Sequence, residues 1–139
     1  MLKRKVYQEL LKWKENTGGK ALCIIGARQI GKTTLIREFG KNEYEHFAEI
    51  NFVTDEKAAD IFKDKLTAEA IITNLTAYLQ TPLEPGKTLI LFDEVQECPA
   101  VRSAIKFLVE DGRFDYIESG SLLGVRCKEV RSYPVGFEQ

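Results

Sequence analysis

Apolar residues recur along the chain in two periods, and the switches between them outline its elements. Near the start, Val6, Leu10 and Trp13 fall at helical spacing while Lys3, Lys5, Glu9, Lys12 and Lys14 lie elsewhere, which predicts an amphipathic helix. Asn16-Thr17-Gly18-Gly19 ends it. Ala21-Leu22-Cys23-Ile24-Ile25 is a continuous apolar run, the mark of a buried strand, and Leu35, Ile36 and Phe39 then resume helical spacing. Glu45 to Phe52 reads as a second strand through Phe47, Ile50 and Phe52, although its alternation is imperfect. Thr54 or Asp55 stands where a helix cap is wanted. Ala58 to Phe62, then Ala68 to Leu79 with Ile71, Ile72, Leu75 and Leu79, predict helix until Thr81-Pro82-Leu83-Glu84-Pro85-Gly86 breaks it. Thr88 to Phe92 is again a continuous apolar run, that of a fully buried parallel strand. After a loop, Pro99 opens a helix carrying Val101, Ile105, Leu108 and Val109, which Asp111-Gly112 closes, and Phe114 to Ser119 resembles a fourth strand. Strand and helix patterns alternate, as in an α/β fold.

Chemistry concentrates at the ends of two of these strands. Gly26 to Thr34 reads G-A-R-Q-I-G-K-T-T and fits the P-loop pattern G-x-x-x-x-G-K-S/T, between a strand and a helix as that motif requires. Gly26 and Gly31 let the backbone curl so that successive N–H groups point inward, and the helix after them adds the positive end of its dipole. Gly26, Ala27, Arg28, Gln29, Ile30, Gly31, Lys32, Thr33 and Thr34 are therefore the candidate nucleotide-binding set, with Lys32 reaching the β- and γ-phosphates and the Thr33 hydroxyl a ligand of magnesium. The run T-L-I-L-F-D-E has the Walker B pattern. Ligands of open α/β sheets sit at the carboxyl ends of strands, which puts Asp93 at the edge of the phosphate site as a second magnesium ligand, direct or through water. Glu94 would face the γ-phosphate and orient, or take a proton from, an attacking water.

Composition narrows the remaining classes. A length of 139 residues suits one domain. Twenty basic and 21 acidic residues give a net charge of −1, so a nucleic-acid partner is compatible with a local patch but not indicated by charge. Cys23, Cys98 and Cys127 are far apart, odd in number and without a C-x-x-C pair, which suggests neither a disulfide framework nor zinc and fits a reducing cytoplasm. No apolar run has the length of a signal peptide or a membrane span, so no membrane is expected. His46, the one histidine, lacks a second to form a metal or catalytic pair and reads as a strand-end surface residue. Ser119-Gly120-Ser121-Leu122-Leu123-Gly124 lacks the G-x-S-x-G spacing of a serine hydrolase.

Taken together, G-A-R-Q-I-G-K-T-T-L-I, L-F-D-E-V-Q-E-C-P, I-E-S-G-S and R-S-Y-P-V-G-F-E resemble the AAA-type P-loop ATPases of bacteria and archaea, and within them the STAND-like group of the ASCE class, from about Lys20 to the end. The resemblance implies a P-loop NTPase with a three-layer α/β/α arrangement and a five-stranded, mainly parallel sheet in the order 5-1-4-3-2. It assigns Lys32 and Thr33 to phosphate and magnesium, Asp93 to magnesium, Glu94 to water activation and Ser119, with Ser121 second, to sensing of the γ-phosphate. Gln96 matches the family pattern without a role attached to it. The chain then divides into an N-terminal helix and loop, 1–19, and an ATPase core, 20–139. Family members continue past the motif Ser132–Glu138 into a helical lid and a poorly characterised C-terminal domain, so a piece of a longer protein is expected, and a homo-oligomer is open. Arg28, Arg126 and, as a weaker choice, Arg113 are the arginines nearest the expected site. The implied function is ATP binding with magnesium-dependent hydrolysis, in full turnover only in the longer protein. The alternative is a nucleotide-dependent switch with slow or incidental hydrolysis. A small-molecule kinase fits less well, because a glutamate after the Walker B aspartate suits water activation. Adenine over guanine rests on the resemblance and on the lack of an N-K-x-D motif.

Overall fold

The computed structural model describes residues 2–15, 20–25, 31–63, 67–120 and 131–138, with the backbone alone at 2–3 and 131–138. In chain order the elements are α1 (Leu2–Glu15), β1 (Leu22–Ile25), α2 (Lys32–Glu43), β2 (His46–Asn51), a 3-10 helix (Glu56–Phe62), α3 (Ala68–Leu79), β3 (Thr88–Asp93), a 3-10 turn (Val95–Glu97), α4 (Pro99–Asp111), β4 (Asp115–Gly120) and β5 (Arg131–Glu138). The five strands form one sheet in the order β2-β3-β4-β1-β5, with every neighbouring pair parallel. Read from the other edge, this is the expected order 5-1-4-3-2.

Side-chain parity along the strands builds the three layers. In β3, Leu89 and Leu91 point into a cluster with Leu22, Ile24, Ile117 and the buried faces of α1 and α2. Ile90 and Phe92 point the other way, into a larger cluster with Ala48, Ile50, Tyr116 and the faces of α3 and α4. A strand with both faces covered carries no polar alternation, which is why T-L-I-L-F is unbroken. The same parity decides which polar side chains meet at the strand tips. Asp93 and Ser119 continue the α2 side of β3 and β4, whereas Glu118 belongs to the α4 side.

The α1 helix is fastened to the α2 side through Trp13, which is fully buried, donates its indole N–H to the Lys20 carbonyl at 3.2 Å and packs against Phe39. Trp13 is thus a packing residue, as its place on the apolar stripe predicts. Thr67 caps α3 by accepting from the Ala70 N–H at 3.2 Å. The expected cap at Asp55 does not form; its carboxylate instead accepts from the Tyr78 hydroxyl. Ala58 to Phe62 lies in the 3-10 helix Glu56–Phe62 rather than in an α-helix, seven residues being too short a segment for the helical pattern to decide between them. Cys23 is disulfide-bonded, contrary to the expectation drawn from cysteine spacing, and Cys98 is buried and free. Bridging depends on Cα approach in the fold, which spacing does not reveal, so cysteine usage no longer argues for a reducing compartment.

Gly40 lies where α2 presses on β2. A Cβ placed there would come within 2.7 Å of Phe47 Cε1 and 2.9 Å of Cγ, so the ring would have to move. Gly40→Ala gains about 1 kcal/mol of helix propensity but overpacks the site at a cost of about 1–3 kcal/mol. We expect a net loss of roughly 1 kcal/mol in urea unfolding; a more stable variant would mean that the Phe47 ring yields freely.

Candidate nucleotide site

Of the nine P-loop residues, Gly26 to Ile30 lie outside the described residues, and Gly31 to Thr34 are described. Gly31 ends the loop at φ 73°, a left-handed conformation, and its carbonyl accepts from the Leu35 N–H at 3.1 Å. A side chain would meet no steric wall there, so the backbone angle is what calls for glycine. Lys32 and Thr33 form the first turn of α2, where unpaired N–H groups and the positive end of the helix dipole meet. Lys32 is only 5% exposed, yet among the described residues no carboxylate pairs with it. Thr34 faces solvent.

Asp93, 2% exposed at the tip of β3, gathers the other polar groups. Its Oδ2 accepts from Thr33 Oγ1 at 3.0 Å, with Asn51 Nδ2 at 3.5 Å. Its Oδ1 accepts from Ser119 Oγ at 2.6 Å and from the Glu94 N–H at 2.9 Å. The tips of β3, β4 and α2 are therefore joined through one carboxylate. Two hard oxygens 3.0 Å apart, on Thr33 and Asp93, match the edge of an octahedron with magnesium–oxygen bonds of about 2.1 Å, so the residues present fit that ion. Ser119 is fully buried and its hydroxyl is directed at Asp93. Asn51 is a member of this group that motif reasoning misses. Its Oδ1 accepts from the N–H groups of Val53 and Thr54, and the signal that could have found it is a polar side chain at the tip of the strand beside β3.

Glu94 comes next at φ 56°, left-handed for a residue with a side chain, and is 8% exposed. Gln96 Nε2 donates to Glu94 Oε1 at 2.6 Å. Ser121 and Arg126 lie outside the described residues. Arg113 precedes β4 at the amino end of that strand, where it pairs with Asp111 at 3.1 Å and Glu69 at 3.5 Å, so it is removed from the arginines near the site.

On the other side of β4, Glu118 is fully buried and Arg102 Nε approaches its Oε1 to 2.8 Å. The N–H is not aimed at the carboxylate, and both atoms remain without a hydrogen bond. Desolvation accordingly outweighs attraction by Arg102 and pushes the Glu118 carboxyl up from its ordinary 4.5 to about 7. Between those values the folded chain holds a proton that the unfolded chain has released, so stability falls as pH rises through that window, by on the order of 3 kcal/mol. Chemical denaturation at pH 5 and pH 7 checks this: the slope should flatten in Glu118→Gln, and an unchanged slope would place the proton elsewhere. At the far end of the sheet, His46 is half-buried at the start of β2 and shares a 2.7 Å hydrogen bond with Glu84, in keeping with a strand-end residue. Glu45, exposed like Glu84, completes a Glu-His-Glu group there.

A family model described as an AAA domain matches residues 18–138. No curated protein matches the chain. Among solved structures, a RuvB variant of Thermotoga maritima is similar at 19% identity and a TM-score of 0.53, over 86% of this chain and 37% of that one. PCH-2 of C. elegans is similar at 15% identity and a TM-score of 0.53, over 96% of this chain and 39% of that one. At these identities the likeness is one of fold. The chain spans well under half the length of either structure.

Proposed function

Because the chain belongs to the family of AAA domains, we propose that this ATP-binding, ATPase-type domain takes ATP with magnesium at the carboxyl ends of β1, β3 and β4 and hydrolyses it there. The observation that carries the reading is Lys32. A buried ammonium with no carboxylate partner among the described residues is costly unless an anion comes to it, and it stands one residue from the Thr33–Asp93 oxygen pair. A triphosphate supplies the anion. Magnesium held by Thr33 and Asp93 would offset the phosphate charge. Lys32 binds the β- and γ-oxygens, and the N–H groups of the P-loop and the α2 start cradle the rest. Glu94 orients a water whose oxygen bonds to the γ-phosphorus as the bond to the β–γ bridging oxygen breaks, and Glu94 takes the proton released. Ser119 holds Asp93 in place and couples β4 to the phosphate.

The hydrogen bond from Gln96 to Glu94 favours slow basal turnover, and with it the second reading, a nucleotide-dependent switch. The proposal extends to a longer protein with a lid, a C-terminal domain and a STAND-like homo-oligomeric assembly. A domain that consumes ATP also calls for a cytoplasmic location. Among the described residues no helix is long and apolar enough to cross a membrane. Phosphate release from ATP, measured with magnesium and in EDTA, tests the proposal. Release that needs magnesium, however slow, supports hydrolysis, and binding without any release would leave the switch.

A further inference from the structure

We propose that Glu45, His46 and Glu84 form a zinc site at the amino end of β2, a clip that ties this edge strand to the turn leading into β3. A carboxylate oxygen from each glutamate and a ring nitrogen of His46 all lie within 4.8 Å of one another. One imidazole with two carboxylates is a donor set that zinc accepts, whereas magnesium and calcium prefer oxygen alone. His46 is the one histidine of the chain. The second histidine that the sequence fails to supply is replaced by Glu84, which the pairing of β2 with β3 brings to His46 from 38 residues away.

The backbone beneath the three side chains is already fixed. The N–H groups of Glu45 and His46 both donate to the Lys87 carbonyl at 3.1 Å. Thr88, only 1% exposed, donates its hydroxyl to the Glu84 carbonyl at 2.9 Å and accepts from the Glu84 N–H at 3.0 Å. Only side-chain rotation is therefore needed to close the site. His46 Nε2 and Glu84 Oε1 stand 2.7 Å apart, a distance at which two electron-pair donors need a proton between them, and zinc can take the proton's place. A tetrahedral ion with bonds of about 2.0–2.1 Å sets neighbouring donors about 3.3 Å apart, so this pair opens by about 0.6 Å while Glu45 swings inward. What holds Glu45 is a 3.8 Å pair with Lys87, and both side chains are more than half exposed, so little is lost when it lets go. The His46 hydrogen bond, and after it the Lys87 charge, holds the Glu84 carboxyl below its ordinary value, so it is present as the anion a metal requires. The site is separate from the nucleotide reading. His46 and Thr88 are partners at the amino ends of β2 and β3, whereas Asn51 and Asp93 are partners at the carboxyl ends, about 17 Å along the strands.

Titration of the full chain, free of any histidine tag and of nucleotide, with zinc chloride tests this through the ring NMR signals of His46, which a single histidine assigns without ambiguity. The signals are expected to shift until one equivalent of zinc is bound, and to do so equally in millimolar magnesium. The unfolding midpoint should rise by about 5 °C when free zinc is a hundredfold above its dissociation constant. Glu84→Gln is expected to weaken zinc binding at least tenfold and to abolish the rise. Glu45→Gln, a change at an exposed side chain, gives the same answer should loss of the His46–Glu84 bond unsettle the fold. Ring signals that ignore zinc, or that respond equally in wild type and in both glutamine variants, overturn the inference. A midpoint rise that survives His46→Ala overturns it too, because the ion that stabilises the chain would then lie elsewhere.

Discussion

Glu94→Gln is expected to leave ATP affinity within about twofold and to lower phosphate release by about 10²- to 10⁴-fold, the range general-base catalysis contributes. The substitution keeps the shape of the side chain and an acceptor for the Gln96 N–H, so the turn Val95–Glu97 and the buried Val95 beneath it have no reason to shift. Asp93, which holds Thr33, Ser119 and the Glu94 N–H, is untouched. Binding and chemistry are thus separated by one atom. Calorimetry beside a phosphate-release assay measures both. Release at the wild-type rate would move the base elsewhere, and loss of binding would make Glu94 part of the nucleotide cradle.

Lys32→Ala should show the opposite division. Removing a charge-assisted partner of the phosphates, worth about 1.5–3 kcal/mol, weakens ATP binding by roughly 10- to 150-fold. Because Lys32 is buried without a carboxylate partner among the described residues, its removal takes away a desolvation cost and breaks no ion pair there. The unfolding midpoint without nucleotide is therefore expected to hold or rise, while the stabilisation that ATP confers is lost. A variant that binds ATP normally but unfolds earlier would show Lys32 to be a packing residue.

Much of the site was legible because its chemistry is local. Gly31, Lys32 and Thr33 must stand in succession to place a left-handed turn, a cation and a hydroxyl at one helix start, and Asp93 must end an apolar strand. Such requirements leave fixed spacings in a sequence. The Ser119 contact with Asp93 spans 26 residues and depends on β3 and β4 being neighbours, an order drawn from family resemblance rather than from periodicity. Parity within β3 was hidden for a different reason. With both faces covered, T-L-I-L-F offers no alternation to say which side faces α2.

Other features leave almost no trace in the pattern. The Gln96–Glu94 bond forms because Glu94 adopts a left-handed backbone and a 3-10 turn comes after it, neither of which the residue types require. Glu118 looks like a polar, solvent-facing position in I-E-S, yet Arg102 on α4 covers it. On α1, Lys14 lies over the ring of Tyr44, with its charge 4.9 Å from the centroid, a contact that the spacing of basic residues does not reveal.

Every step of the proposed chemistry depends on Lys32, Thr33 and Asp93 forming one magnesium-triphosphate site. Calorimetric titration of the full chain with ATP, once with excess magnesium and once in EDTA, decides whether they do. Binding that magnesium strengthens, and that is tighter for ATP than for GTP, is the expected result. Absence of ATP binding in both conditions, or equal affinity with and without magnesium, would contradict it.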